Sequence, residues 1–108
     1  MPQMEAVIVL STWPADEDPG PTAATLVEER LAACVNLLSD MESVYRWKNA
    51  VEHAHERQVV IKTTRTRVDA LLARLKELHP YEVPEALVVP VIGGSDVYLS
   101  WIADCTRV

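Results

Sequence analysis

Residues 35–64, VNLLSDMESVYRWKNAVEHAHERQVVIKTT, hold two strand-like segments about a single turn. Val35 to Trp47 alternates loosely between apolar and polar residues, which favours one long strand. Lys48-Asn49 can reverse it, because asparagine tolerates the left-handed conformation better than most residues. The return strand runs from Val51 to Thr63 and ends in the apolar Val59-Val60-Ile61. Both segments far exceed the roughly 5–6 residues of a typical strand. Their outer part carries Val44, Tyr45, Trp47 and Val51, which a two-stranded arm cannot cover by itself. The ribbon is therefore expected to pack on another copy of the chain.

Working outward, Ala6-Val7-Ile8-Val9-Leu10 reads as a strand covered on both faces. Trp13 to Pro21 contains three prolines, a glycine and three acids, so it reads as a surface loop. Thr22 or Thr25 can cap the next helix, in which Ala24, Val27, Leu31 and Cys34 recur at helical spacing. After the long ribbon, Thr66-Arg67-Val68-Asp69 resembles a capping box, and Val68, Leu71, Leu72, Leu75 and Leu78 form a helical stripe. Pro80 and Pro84 end that helix and open the last strand, Leu87 to Ile92. Gly93-Gly94 turns, Ser95 or Asp96 caps, and Tyr98, Trp101, Ile102 and Cys105 mark a short terminal helix.

The order is βαββαβ with an extra C-terminal helix, in one α+β domain spanning residues 1–108. Right-handed crossovers then give an antiparallel four-stranded sheet with both main helices on one face. The other face also needs cover, which again points to a homo-oligomer.

Hydrophobic residues make up 49% of the 108 and charged residues 24%, an ordinary globular balance. The net charge of −6 argues against nucleic-acid binding, which needs clustered Lys and Arg. No stretch approaches the roughly 20 apolar residues needed to span a bilayer. The start, Met1-Pro2-Gln3-Met4-Glu5, has no basic n-region, and the apolar run behind it is short for a signal sequence, so a cytoplasmic address is expected. Cys34 and Cys105 form no spaced framework and read as free, buried thiols.

Two places carry groups that could bind something. In LHPYEVPEALVVPVIGG, residues 78–94, His79 and Tyr81 flank Pro80, with Glu82 and Glu85 close by. His79 could hold a metal, shuttle protons, or donate to the last carbonyls of its helix. In His53-Ala54-His55 the two imidazoles face the same side of a strand and could reach one ion, with Glu52 and Glu56 on the opposite face. Lys62, at the end of Val59-Val60-Ile61, could place an ammonium at a subunit cleft or snorkel. No GxSxG, phosphate-loop, GxGxxG or HExxH pattern is present, and no nucleophile sits beside a base, so no enzymatic activity is expected.

The motifs VIVLSTWP (7–14), ERLAACVN (29–36), SVYRW (43–47), VVIKTT (59–64), LHPYEVPE (78–85) and YLSWI (98–102) together resemble the CutA divalent-cation tolerance family. The resemblance runs from about Ala6 to Ile102. It implies a ferredoxin-like sandwich and a homotrimer similar to the PII-type signalling proteins, with small ligands in clefts between subunits. It further implies a role in the response to divalent metal ions, copper or zinc being the candidate ions, with no obligatory cofactor. The metal position that it implies retains only His79. Ser11 stands where the family's bacterial pattern has a cysteine, and Leu78 where it has a second histidine. The resemblance also places Tyr45, Trp47, Glu56, Lys62, Tyr81 and Glu85 about the inter-subunit cleft. A trimer that only scaffolds or anchors other proteins, without a metal ligand, is the alternative reading.

Overall fold

The Lys48-Asn49 turn forms as the sequence predicts, with positive φ at both residues (48° and 67°). It joins strand β2, Cys34–Trp47, to strand β3, Ala50–Thr64, and the two pair antiparallel from Cys34–Lys62 out to Trp47–Ala50. These contacts belong to a computed structural model that describes residues 5–108. Met1 to Met4, part of the segment expected to lack a signal sequence, lie outside the described residues.

Strand β1, Ala6–Pro14, pairs antiparallel with β3 on one side and with β4, Leu87–Pro90, on the other. The sheet order is β2-β3-β1-β4. Helices α1, Gly20–Glu28, and α2, Val68–Leu78, supply the crossovers, and α3, Asp96–Cys105, closes the chain. This is the expected α+β architecture.

Alternation along the strands decides where the core lies. Val9 on β1 and Val59 and Ile61 on β3 face the helices and meet Leu26 of α1 and Leu71 and Leu75 of α2. Ile8, Leu10, Thr12 and the even-numbered residues of β3 face the other way. Helix α3 covers one end of that second face, where Ile102 packs on Ala6 and Ala33. Much of the rest stays open, including Leu87 and Val89 on β4.

One irregularity changes the character of the arm. Leu37 pairs with Val59, but Asp40 pairs with Arg57, so β2 spends three steps where β3 spends two. That bulge reverses the alternation of β2. Val35 and Leu37 point toward the helices, whereas beyond the bulge Met41, Ser43, Tyr45 and Trp47 point to the open face. The Nε of Arg57 secures the irregularity by donating to the Leu38 carbonyl at 3.0 Å.

Several local expectations need correction. The first helix does not extend to Cys34: it ends at Glu28, and Arg30 takes a left-handed φ of 60°. The Leu31 and Ala32 amides then both donate to the Leu26 carbonyl, which seals the helix end. The buried residue of α1 is Leu26, whereas Ala24 and Val27 are exposed and Cys34 is half-buried in β2. Neither Thr22 nor Thr25 caps α1, which starts earlier through Pro19-Gly20-Pro21. There the Asp18 side chain accepts from the Gly20 amide at 2.9 Å. β1 likewise runs on through Pro14 into the stretch expected to be loop. A single 3₁₀ turn, Arg65–Arg67, leads into α2, so the capping box does not form. β4 stops at Pro90, short of Ile92. Ser95 does cap α3, accepting from the Tyr98 amide at 3.3 Å.

Candidate functional site

The His-Pro-Tyr corner is built from the end of α2 downward. His79 leaves the helix with an extended backbone and turns its ring under β1. Its Nδ1 accepts from the Tyr81 amide at 3.0 Å, which fixes the proton on Nε2. Nε2 therefore donates to the Thr12 carbonyl at 2.7 Å. The ring packs against Trp13 (4.2 Å between centroids, tilted by 50°) and Tyr81 (5.0 Å, tilted by 42°). Burial pushes the His79 pKa below its usual value and keeps the ring neutral, outweighing the Thr12 bond and the carboxylates of Glu56 and Glu17. The structure adds a role to the three that the sequence leaves open: His79 ties the corner to β1 rather than to its own helix. Both ring nitrogens are engaged, so an ion at this imidazole would have to break one of these bonds.

Tyr81 carries the connection outward, its hydroxyl donating to Glu56 Oε2 at 2.6 Å. Burial first, then the bond to Glu56 and its negative charge, hold the phenol well above its ordinary pKa. Glu56 is 94% buried in spite of its charge, and the phenol is its hydrogen-bond partner. Next along the same face, Gln58 Nε2 donates to Glu85 Oε2 at 3.2 Å and also to the Ser11 carbonyl. Two side-chain bonds thus lace the segment after α2 to β3.

Between this laced corner and the arm runs a groove of about 700 Å³. The arm side supplies Met41, Ser43, Tyr45 and Trp47, the residues that the bulge turns to the open face. The corner supplies Tyr81, Glu82 and Glu85, and Glu56 and Gln58 form part of the floor. Three carboxylates and three aromatic rings line it, and no Lys or Arg does.

Five residues singled out from the sequence therefore share one groove: Tyr45, Trp47, Glu56, Tyr81 and Glu85. Lys62 does not join them within the chain. It lies six residues beyond Glu56, about 20 Å at the rise of a strand, and its ammonium donates to the Tyr98 hydroxyl at 3.4 Å. Gln58 was missed, although it follows Glu56 at the two-residue spacing that puts both on one face.

Ser11 lies on the core side of β1, fully buried, and its hydroxyl finds no hydrogen-bond partner among the described residues. Leu78 is half-buried at the end of α2. Among the described residues, no three His, Cys, Asp or Glu side chains converge, as they stand, on one metal position. Nor is any helix among them long and apolar enough to cross a membrane.

The model of the CutA1 divalent ion tolerance protein family matches residues 7–105. The divalent-cation tolerance protein CutA of Pectobacterium atrosepticum is 45% identical over 101 residues, covering 94% of this chain and 92% of its own. The crystal structure of CutA from Xylella fastidiosa superposes with a TM-score of 0.90 at 40% identity, covering 95% of this chain and 99% of that one. The Cut A1 divalent cation tolerance protein from Thermus thermophilus superposes equally well, with a TM-score of 0.90 at 41% identity over 94% of this chain and 99% of its own. With the sheet order, the corner and the arm all in place, the chain belongs to the CutA1 divalent ion tolerance family.

Proposed function

We propose that the chain acts as a homotrimer in the response to divalent cations, with the groove beside the His-Pro-Tyr corner as a ligand site that a neighbouring copy completes. The observation that carries this is the lining of the groove: Glu56, Glu82 and Glu85 beside Tyr45, Trp47 and Tyr81, with no basic side chain. Such a lining favours a divalent cation, copper or zinc, or a small polar effector without phosphate groups. Because both nitrogens of His79 are engaged, the ion would be held by the oxygens of Glu82 and Glu85, and His79 would position Tyr81. Oxygen ligands on a half-exposed rim hold such ions weakly. The role is binding rather than catalysis.

Association is supported by what a single chain leaves uncovered. Val44 and Val51 on the arm are each 59% exposed, and Trp47 is 38% exposed. A two-stranded arm is marginal in water, and β2 and β4 present open sheet edges. The names of the relatives connect the family with divalent-cation tolerance and agree with the ligand class.

Two measurements test the proposal. Sedimentation equilibrium at micromolar concentration is expected to give a trimer, and a monomer would refute that part. Thermal unfolding with added Cu(II) or Zn(II) is expected to shift upward, by an amount that corresponds to about 2.7 kcal/mol when the ion is at 100 times Kd. Glu82→Gln with Glu85→Gln should remove the groove's share of that shift, and an unchanged shift would discard the groove as the site.

A further inference from the structure

A second group of ligating side chains stands on the opposite face of the arm, turned away from the groove. His53 and His55 lie two apart on β3 and share that face. Across the ladder, Glu42 is directly opposite His55, and Val44 directly opposite His53. Glu42 reaches diagonally, its Oε2 lying 3.1 Å from Nδ1 of His53. The bulge at Leu37–Asp40 is responsible: with unbroken alternation Glu42 would point to the other face. The sequence alone pairs the two histidines only with Glu52 and Glu56, which face the wrong way. The third ligand comes from the partner strand.

We infer that Glu42, His53 and His55 form a site on the arm for a borderline divalent cation such as Zn(II), Ni(II) or Cu(II). Two imidazoles and one carboxylate are the donors that these ions select over Mg(II) and Ca(II), and three protein ligands leave coordination positions for water. As they stand, the three side chains do not converge: Glu42 is spent on His53. Within one chain the side chains are free to rotate toward one another, because His53 and Glu42 are 61% and 58% exposed and His55 is exposed as well. Exposed side chains change rotamer within nanoseconds. The surrounding charges are compatible. Asp40 extends the carboxylate row on the same face, Arg57 beside it is turned to the Leu38 carbonyl, and Arg46 stands at the far end of that face, opposite Val51. This site does not depend on the groove and uses none of its residues.

Isothermal titration of Zn(II) into the full chain tests the inference, alongside His53→Thr, His55→Thr and the double variant. Threonine suits an exposed strand position, so the fold should hold. The unsubstituted chain is expected to take up one zinc per chain at the arm. Loss of a ligand should cost at least as much as loss of an outer-shell partner, about tenfold or more in affinity. The double variant should lose that equivalent entirely, while Glu82→Gln with Glu85→Gln keeps it. Full zinc uptake by the double variant, or none by the unsubstituted chain, overturns the inference. Zinc lost only in the groove variant also overturns it, while leaving the groove proposal standing. Nuclear magnetic resonance gives a check without substitution, since the chain has three histidines. Substoichiometric Ni(II) should broaden the imidazole signals of His53 and His55 and spare His79. Broadening of His79 first would point away from the arm.

Discussion

Tyr81 donates its phenolic proton to Glu56 across 2.6 Å, joining the segment after α2 to the middle of β3. Glu56 is buried, and the phenol supplies its carboxyl with a hydrogen-bond donor there. The Tyr81 ring rests on His79, which in turn is fixed by Thr12 and by the Tyr81 backbone. Four residues from three segments thus hold one wall of the groove in place before any ligand arrives, which lowers the ordering cost of binding.

Tyr81→Phe should therefore destabilise the fold by about 1.5–3 kcal/mol, the range for a hydrogen bond to a charged group. Glu56→Gln should cost less, because the amide oxygen can still accept from the phenol. Urea denaturation of the two variants checks the order. The raised pKa gives a second readout: one tyrosine should resist ionisation above pH 10, and Tyr81→Phe should remove that component from an ultraviolet titration. The stabilisation is intact below the ordinary phenol pKa and is lost progressively as the pH rises from there to the elevated one.

His79 predicts the opposite behaviour in acid. Its folded pKa lies below the ordinary value of 6.5, so between the two values the unfolded chain binds a proton that the folded chain refuses. Stability should fall as the pH drops below 6.5 and level off below the folded value. His79→Phe should lack this component and lose about 1–3 kcal/mol at pH 7, since it leaves the Thr12 carbonyl unpaired. Stability curves of the two chains between pH 5 and 8 should converge toward acid. Curves that run parallel would mean that the ring is not held neutral by the fold.

The element order, the turn and the α2 stripe were legible because each rests on local chemistry: positive-φ residues, prolines and 3.6-residue spacing. The first helix was misread because Ala24, Val27, Leu31 and Cys34 happen to keep that spacing across a helix end, and nothing in Glu28-Glu29-Arg30 announces a left-handed stop. Five of the groove residues were legible through family resemblance, not through any catalytic pattern. The bulge was not, since Leu37-Leu38-Ser39-Asp40 offers no glycine to mark it. That one irregularity decides which face Tyr45, Trp47 and Glu42 occupy, so the histidine pair looked incomplete from the sequence.

The position of Leu26 can be tested against that of Val27. Leu26 is 1% exposed and meets Leu71 and Leu75 in the core, whereas Val27 is 42% exposed. Leu26→Ala should cost about 2–5 kcal/mol through the cavity that it leaves. Val27→Ala should stay within about 0.5 kcal/mol, as exposed substitutions do. The reverse order, by thermal or chemical unfolding, would show that α1 is rotated from the position described.

The turn offers a test in which two small effects oppose each other. Lys48 and Asn49 both have positive φ, which costs a non-glycine residue roughly 1–2 kcal/mol, less for asparagine than for lysine. Asn49→Gly removes that strain at an exposed position, so it should raise stability by about 0.5–1 kcal/mol. Lys48→Asn relieves strain as well, but it removes the ammonium that sits 5.7 Å from the Trp47 ring centroid. That contact is worth about 0.5–1 kcal/mol at an exposed site, so the two effects should nearly cancel. Asn49→Gly should therefore melt higher than both Lys48→Asn and the unsubstituted chain. If Lys48→Asn were the more stabilising of the two, the Lys48–Trp47 contact would contribute nothing.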